Sequence, residues 1–273
     1  MEELNTQNQP ADEEKKPVLP AYTENPILPA IKSPLRKKFR GFPGKKESGE
    51  NMWTFWLDIA LNLIIIIGMV VIIRTFIISP FQVFGSSMCN TFNFFDGECN
   101  AGTGEYLIVN KFGIQNFFGW QMGLPERGDV IVFHPPLNDQ EFFIKRVIGL
   151  PGETVKLQSG DVYVYNDEYP SGFKLDEDYL SAANQGNTEP DTIRGGPSIF
   201  EIPEGNYLVF GDNRIGSSDA RSCFRESIVQ KKCGEEGNTP FLALDHIEGK
   251  AWVVLWPLNR IGIVDHPTYG DSG

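Results

Sequence analysis

The feature that most constrains this chain is an apolar run, WTFWLDIALNLIIIIGMVVIIRTFII, from Trp53 to Ile78. Between Ile59 and Ile73 it has no charge, and Asn62 is its one strongly polar residue. As a helix, that uncharged stretch would rise about 22 Å, short of the roughly 30 Å hydrocarbon core of a bilayer. Extending it back to Trp53 completes a span, with Trp53, Phe55 and Trp56 at the interface and Asp58 just inside the head groups. Extending it forward to Ile78, with Arg74 snorkelling, is the other register. The first is preferred, which predicts one transmembrane helix over 51–75. A helix that is apolar all round has no polar face to turn to water, so a buried helix in a soluble domain of this size is the poorer reading. The run also begins some fifty residues into the chain and shows no small-x-small cleavage site, which argues against a removed signal peptide.

Charge orients the span. Seven basic residues lie from Lys32 to Lys46, whereas Arg74 alone falls between the span and Lys111. The positive-inside rule then places residues 1–50 in the cytoplasm, as a solvated and largely disordered tail, and residues 76–273 outside. Residues 1–50 hold nine basic and eight acidic side chains against a net charge of -12, so the remainder carries -13. An acidic body of this kind excludes nucleic acid as a partner. All four cysteines, Cys89, Cys99, Cys223 and Cys233, fall in the outer part, in two pairs each ten residues apart. Of the three possible connectivities, local pairing (89–99 and 223–233) is the simplest. A zinc site competes, but CxxC spacing is missing and no histidine is close in sequence to a cysteine.

Beyond residue 80 no stretch sustains a 3.6-residue period. Instead YLIVNKF, GDVIVFH, FFIKRVIGL, DVYVYN, NYLVFG and KAWVVLW are short runs rich in Val, Ile and aromatics, broken by Gly, Pro and Asp. The fold class expected is mainly β, with antiparallel sheets forming a partly closed, barrel-like domain behind the single helix. Residues 181–198 have loop composition.

Three segments carry chemistry. FGSSMCNTF (84–92) presents two serines behind a glycine, close to the membrane end of the domain. A serine hydroxyl needs a base to act as a nucleophile. His134, in FHPPL, is one candidate, although there is no GxSxG elbow and no Ser-His-Asp order has local support. Lys145, in EFFIKRVIGLPG, is another. Two-residue alternation puts Phe143, Lys145 and Val147 on one face, where desolvation would depress the lysine pKa by up to about 3–5 units. Without such a shift fewer than about one amine in a thousand is neutral at pH 7. An edge-strand lysine that blocks aggregation is the structural alternative. In the third segment, FGDNRIGSSDAR (210–221), Gly, Asp and Asn pack a turn. Asp219 and Arg221 suit a charge pair there, and Ser217 and Ser218 supply hydroxyls.

In order and spacing, SPFQVFGSSMCNTF, YLIVNKFG, RGDVIVFHPP, FIKRVIGLPGE, GDNRIGSSDAR and IEGKAWVVLWP behind a membrane anchor resemble the bacterial type I signal peptidases. The resemblance implies a β-sheet serine endopeptidase of the cell membrane. It would remove signal peptides from exported preproteins, after small residues of the Ala-x-Ala type, and it implies no cofactor or metal. The family's Ser/Lys dyad falls on Ser87 and Lys145, its lysine-orienting serine on Ser217, and its structural ion pair on Asp219 and Arg221. Val83, Phe84 and Ile144 match pocket-lining positions. Simple alternation puts Ile144 opposite Lys145, so a bulge is expected there. Departures from the family pattern are Gly85, where some members carry a serine as second oxyanion donor, Asn90 for proline, and Gly216 and Ala220 for Asn and Ser. The stretch 222–243 is longer than usual, and a Cys223–Cys233 disulfide would pin it. Phe92, Phe94, Phe95 and QNFFGWQMG (115–123) form aromatic clusters, read either as core packing or as a surface dipping into membrane lipid.

Overall fold

The computed structural model describes residues 52–114, 123–136, 138–224, 232–235, 237–267 and 269. The N-terminal tail, residues 115–122 of the second aromatic cluster, and residues 225–231 of the cysteine-bounded stretch lie outside the described residues.

Helix α1 (Met52–Phe76) has 25 residues. At 1.5 Å per residue it extends about 37 Å, enough for the roughly 30 Å hydrocarbon core. None of its residues is buried, and Asn62 Nδ2 donates to the Asp58 carbonyl at 2.8 Å, so the polar side chain is satisfied within the helix. Among the described residues it is the one helix long and apolar enough to cross a membrane.

The rest is built from strands. Those that matter here are β1 (Ile78–Phe84), β2 (Thr103–Asn110), β3 (Val130–Phe133), β4 (Phe143–Gly149), β5 (Thr154–Gln158), β6 (Asp161–Tyr165), β7 (Asn206–Phe210) and β8 (Ile247–Trp256). The larger sheet is antiparallel in the order β1-β2-β8-β3-β4-β7, with Leu242–Ala243 beside β7 and Gly262–Ile263 beside β8. It curls as a half-barrel, so the mainly β, partly closed architecture expected from the sequence is the one found. A second antiparallel sheet takes β5 and β6 with Ile199–Glu201 and Phe173–Lys174 at its edges. All six β-type runs picked out above coincide with strands.

Two cores cover the two faces of the central strands. Ile131, Phe133, Val147, Val155, Val162, Phe200 and Phe210 belong to the larger core, which joins the sheets. Val83, Met88, Phe92, Leu107, Val130, Ala251 and Val254 form the smaller one. Phe92 is 2% exposed and belongs to that core, whereas Phe94 is 38% exposed. Every residue of β3 is buried, as are Lys145 through Gly149 of β4. This double covering takes the lysine out of water.

Candidate active site

Ser87 follows β1 through a turn at Gly85, whose φ of +84° is a left-handed conformation that glycine adopts without strain. The Gly85 N–H donates to the Gly102 carbonyl at 3.1 Å, so it is committed to the fold. With no side chain at this position, Gly85 provides no hydroxyl donor. Cys89 is joined to Cys99, tying the turn after Ser87 to the Phe94–Cys99 hairpin, and Cys223 is joined to Cys233. The cysteines, being paired, leave no thiolate to hold zinc.

Lys145 comes from β4, whose register against β3 runs unbroken from Phe133↔Phe143 to Val130↔Arg146. The bulge expected at Ile144 is therefore absent. Ile144 packs against the smaller core, opposite Phe143 and Val147 as alternation requires. Both Ile144 and Lys145 nevertheless line one cleft, because the long lysine stem folds back and Nζ donates to its own neighbour's carbonyl, Ile144 O, at 2.8 Å. Nζ also donates to Ser87 Oγ at 2.8 Å. It lies 5.1 Å from the Phe143 ring centroid. The residue is 4% exposed. Burial pushes its pKa down from 10.5 to about 8, and the carboxylates of Asp219 and Asp212 pull only partly the other way.

The cleft has a volume of about 350 Å³. Its apolar lining comes from Phe81, Val83, Phe84, Leu107, Val132, Phe142, Phe143 and Ile144, and its polar lining includes Gln82, Ser86, Ser87, Glu141, Lys145 and Ser218. Val83 is buried beneath it and Phe84 is 71% exposed beside it. His134 is not part of this lining. Its Nδ1 lies 3.0 Å from Glu141 O, and its ring packs on Phe142 at 4.1 Å.

The 211–221 segment closes the site. Asp219 caps a short helical turn and accepts from the Gly211 N–H at 2.9 Å. Arg221 holds it bidentately, Nε to Oδ1 at 2.9 Å and Nη2 to Oδ2 at 2.8 Å. Burial alone would raise the Asp219 pKa, but the Arg221 guanidinium and backbone donors more than reverse this and hold it below the usual carboxylate range. Among the described residues the Ser217 hydroxyl is buried and has no hydrogen-bond partner, so it is not bonded to Lys145. Ser217 Oγ and the Ser87 carbonyl both crowd the position a Cβ would take at Gly211.

Sequence reasoning missed two buried pairs. Arg146, next to the lysine, grips Asp212 through Nε at 2.9 Å and Nη2 at 2.7 Å, and Thr91 Oγ1 donates to the same carboxylate at 2.5 Å. Arg214 pairs with Glu177 and donates to Thr188 Oγ1 at 2.5 Å. Both arginines and Asp212 stood in quoted segments, but no local pattern names a partner 66 residues away.

Comparison with known proteins places the chain in a family. A family model described as signal peptidase, peptidase S26, matches residues 56–256. The probable signal peptidase I-2 of Synechocystis sp. is 30% identical over 226 residues, covering 81% of this chain and 81% of that protein. Signal peptidase I U of Bacillus subtilis is 33% identical over 164 residues, 60% of this chain and 76% of its own length. Signal peptidase IB of Staphylococcus aureus is 34% identical over 188 residues, covering 65% and 82%. With nearly three quarters of its length matched in this way, the chain belongs to the signal peptidase family, peptidase S26.

Proposed function

We propose that this protein is a membrane-anchored serine endopeptidase that removes signal peptides from exported preproteins, with Ser87 as nucleophile and Lys145 as general base. The observation that carries the reading is the 2.8 Å contact between Lys145 Nζ and Ser87 Oγ, made by a lysine whose burial brings its pKa to about 8. In the neutral amine the contact reverses. The Ser87 O–H donates to the Nζ lone pair, the serine oxygen attacks the scissile carbonyl, and the ammonium then protonates the leaving amine. A neutral amine keeps two N–H donors. Ile144 O takes one, and the unpartnered Ser217 hydroxyl is the fitting acceptor for the other, which would orient the lone pair. The Asp219–Arg221 pair fixes the turn that carries Ser217.

The cleft beside β1, lined by both apolar and polar groups, suits an extended peptide with small residues before the scissile bond, of the Ala-x-Ala type. Val83 and Ile144 line its pocket, and Phe84 flanks it. The domain arrangement follows the charge bias: residues 1–50 cytoplasmic, 51–75 spanning, and 76–273 extracytoplasmic. Trp252, Leu255, Trp256, Leu258 and Ile263 are exposed on and beside β8, which supports contact of this face with membrane lipid.

Cleavage of a preprotein in detergent by the full chain and its variants tests the reading. Ser87→Ala and Lys145→Ala should each abolish cleavage while leaving the fold intact. Retained activity in Lys145→Ala together with its loss in His134→Ala would overturn it.

A further inference from the structure

Acyl transfer needs an N–H held ready for the negative charge that develops on the scissile oxygen, and its value depends on being aimed before the reaction begins. The Ser87 N–H donates to no protein group among the described residues, so it is free for this task. What aims it is visible on the other end of the same peptide unit. In a trans peptide the C=O and N–H point in opposite directions, and among the described residues the cis bond is at Trp256–Pro257, far along the chain. Whatever grips the Ser86 carbonyl therefore sets the direction of the Ser87 N–H.

That carbonyl is gripped twice. The Cys89 N–H donates to it at 3.0 Å from within the turn. Asn213 Nδ2 donates to it at 3.0 Å from 127 residues away. Asn213 is itself held at three points. Its backbone N–H donates to the Ser87 carbonyl at 3.0 Å. Its Oδ1 accepts from the Gly216 N–H at 3.2 Å, and its backbone carbonyl accepts from the same N–H at 3.0 Å. Exchanging the amide's O and N would set oxygen against the Ser86 carbonyl and NH₂ against the Gly216 N–H, so the network admits one orientation. Two glycines clear the space. A Cβ at Gly216 would stand 2.7 Å from Asn213 Nδ2, and one at Gly211 would collide with the Ser87 carbonyl. The preceding carbonyl, Gly85 O, is held in the same manner by Asn93 Nδ2 at 2.7 Å.

We propose that Asn213 is a positioning residue for the oxyanion: its carboxamide locks the Ser86–Ser87 peptide so that the Ser87 N–H faces the scissile carbonyl oxygen. This rests on the Ser87/Lys145 reading. It predicts a loss confined to the transition state, since a substrate bound before attack does not depend on that hydrogen bond.

The test compares the full chain in detergent with Asn213→Ala and Asn213→Asp. The readouts are kcat and KM on a peptide substrate and inhibition by the matching peptide aldehyde, which forms a tetrahedral oxyanion. In both variants kcat should fall about 10- to 100-fold, aldehyde inhibition should weaken by a similar factor, and KM should stay within about twofold. In Asn213→Ala, which adds no charge, the midpoint of the pH profile should not move, because the lysine is untouched; in Asn213→Asp the added carboxylate should move it up, as Asp219 and Asp212 already do. Unchanged kcat at the pH plateau overturns the proposal, as does a shifted midpoint in Asn213→Ala. An equal loss of substrate and aldehyde binding also overturns it, because that marks general damage. Should Asn213→Ala melt at the assay temperature, the shape-preserving Asn213→Asp, which keeps the acceptor for Gly216, decides. Failure of the underlying dyad reading is read separately, as activity retained by Ser87→Ala.

Discussion

Raising the pH from 7 to 9 should increase kcat/KM about tenfold and then leave it flat, because the proposed base, Lys145, must lose a proton before it can take one from Ser87. With a pKa of about 8, the neutral fraction is about 9% at pH 7 and about 91% at pH 9, so log kcat/KM should climb with unit slope below 8 and level off above it. The direction follows from the cause. Burial disfavours the ammonium, and the Asp219 and Asp212 charges are too weak to restore it. An unshifted lysine near 10.4 would instead give a rate that rises about tenfold per unit up to pH 9 and is still climbing at pH 10. The assay is cleavage of an uncharged peptide with small residues before the scissile bond, by the full chain in detergent, between pH 5.5 and 10. A plateau already reached at pH 6.5, a rise with no plateau by pH 10, or a falling limb near 8 would refute the lysine base.

Two further outcomes rest on the same buried charges. Holding Lys145 charged below its folded pKa costs about 3 kcal/mol, since its pKa falls by roughly 2.5 units at about 1.4 kcal/mol each. That cost is fully present below pH 8 and vanishes as pH rises towards 10.5, so Lys145→Met should be more stable than wild type by about 1–2 kcal/mol at pH 7, after loss of the Ser87 hydrogen bond. The gap should close at alkaline pH, as followed by denaturant unfolding in detergent; a Met variant less stable at pH 7 would contradict it. Asp212→Ala strands the Arg146 guanidinium, 1% exposed, and should destabilise the fold by about 3–5 kcal/mol. A melting temperature equal to wild type would show the pair to be dispensable.

Much of this protein was legible in its sequence because the chemistry concerned is local. The apolar run around Ile64 declares a helix for apolar surroundings whatever the rest does, and the Val- and aromatic-rich runs declare strands by their length and punctuation. The serines at 86 and 87, the lysine in an apolar strand and the turn at 211–219 were each visible, though each had an ordinary structural explanation. The pairing of cysteines ten residues apart is similarly short-range.

What tertiary structure decided is everything that depends on residues far apart in the chain. Lys145 meets Ser87 across 58 residues, Arg146 meets Asp212 across 66, and Asn213 reaches the Ser86 carbonyl across 127. The bulge expected at Ile144 failed for a related reason. Strand alternation fixes where a Cβ points, but a four-carbon lysine stem lets the amine turn back to its own strand's edge. Sequence alone thus determined which groups the protein carries and the membrane span available to it. Only the packed sheets decided which of those groups meet in a dry place, and that desolvation is what makes a lysine able to act as a base.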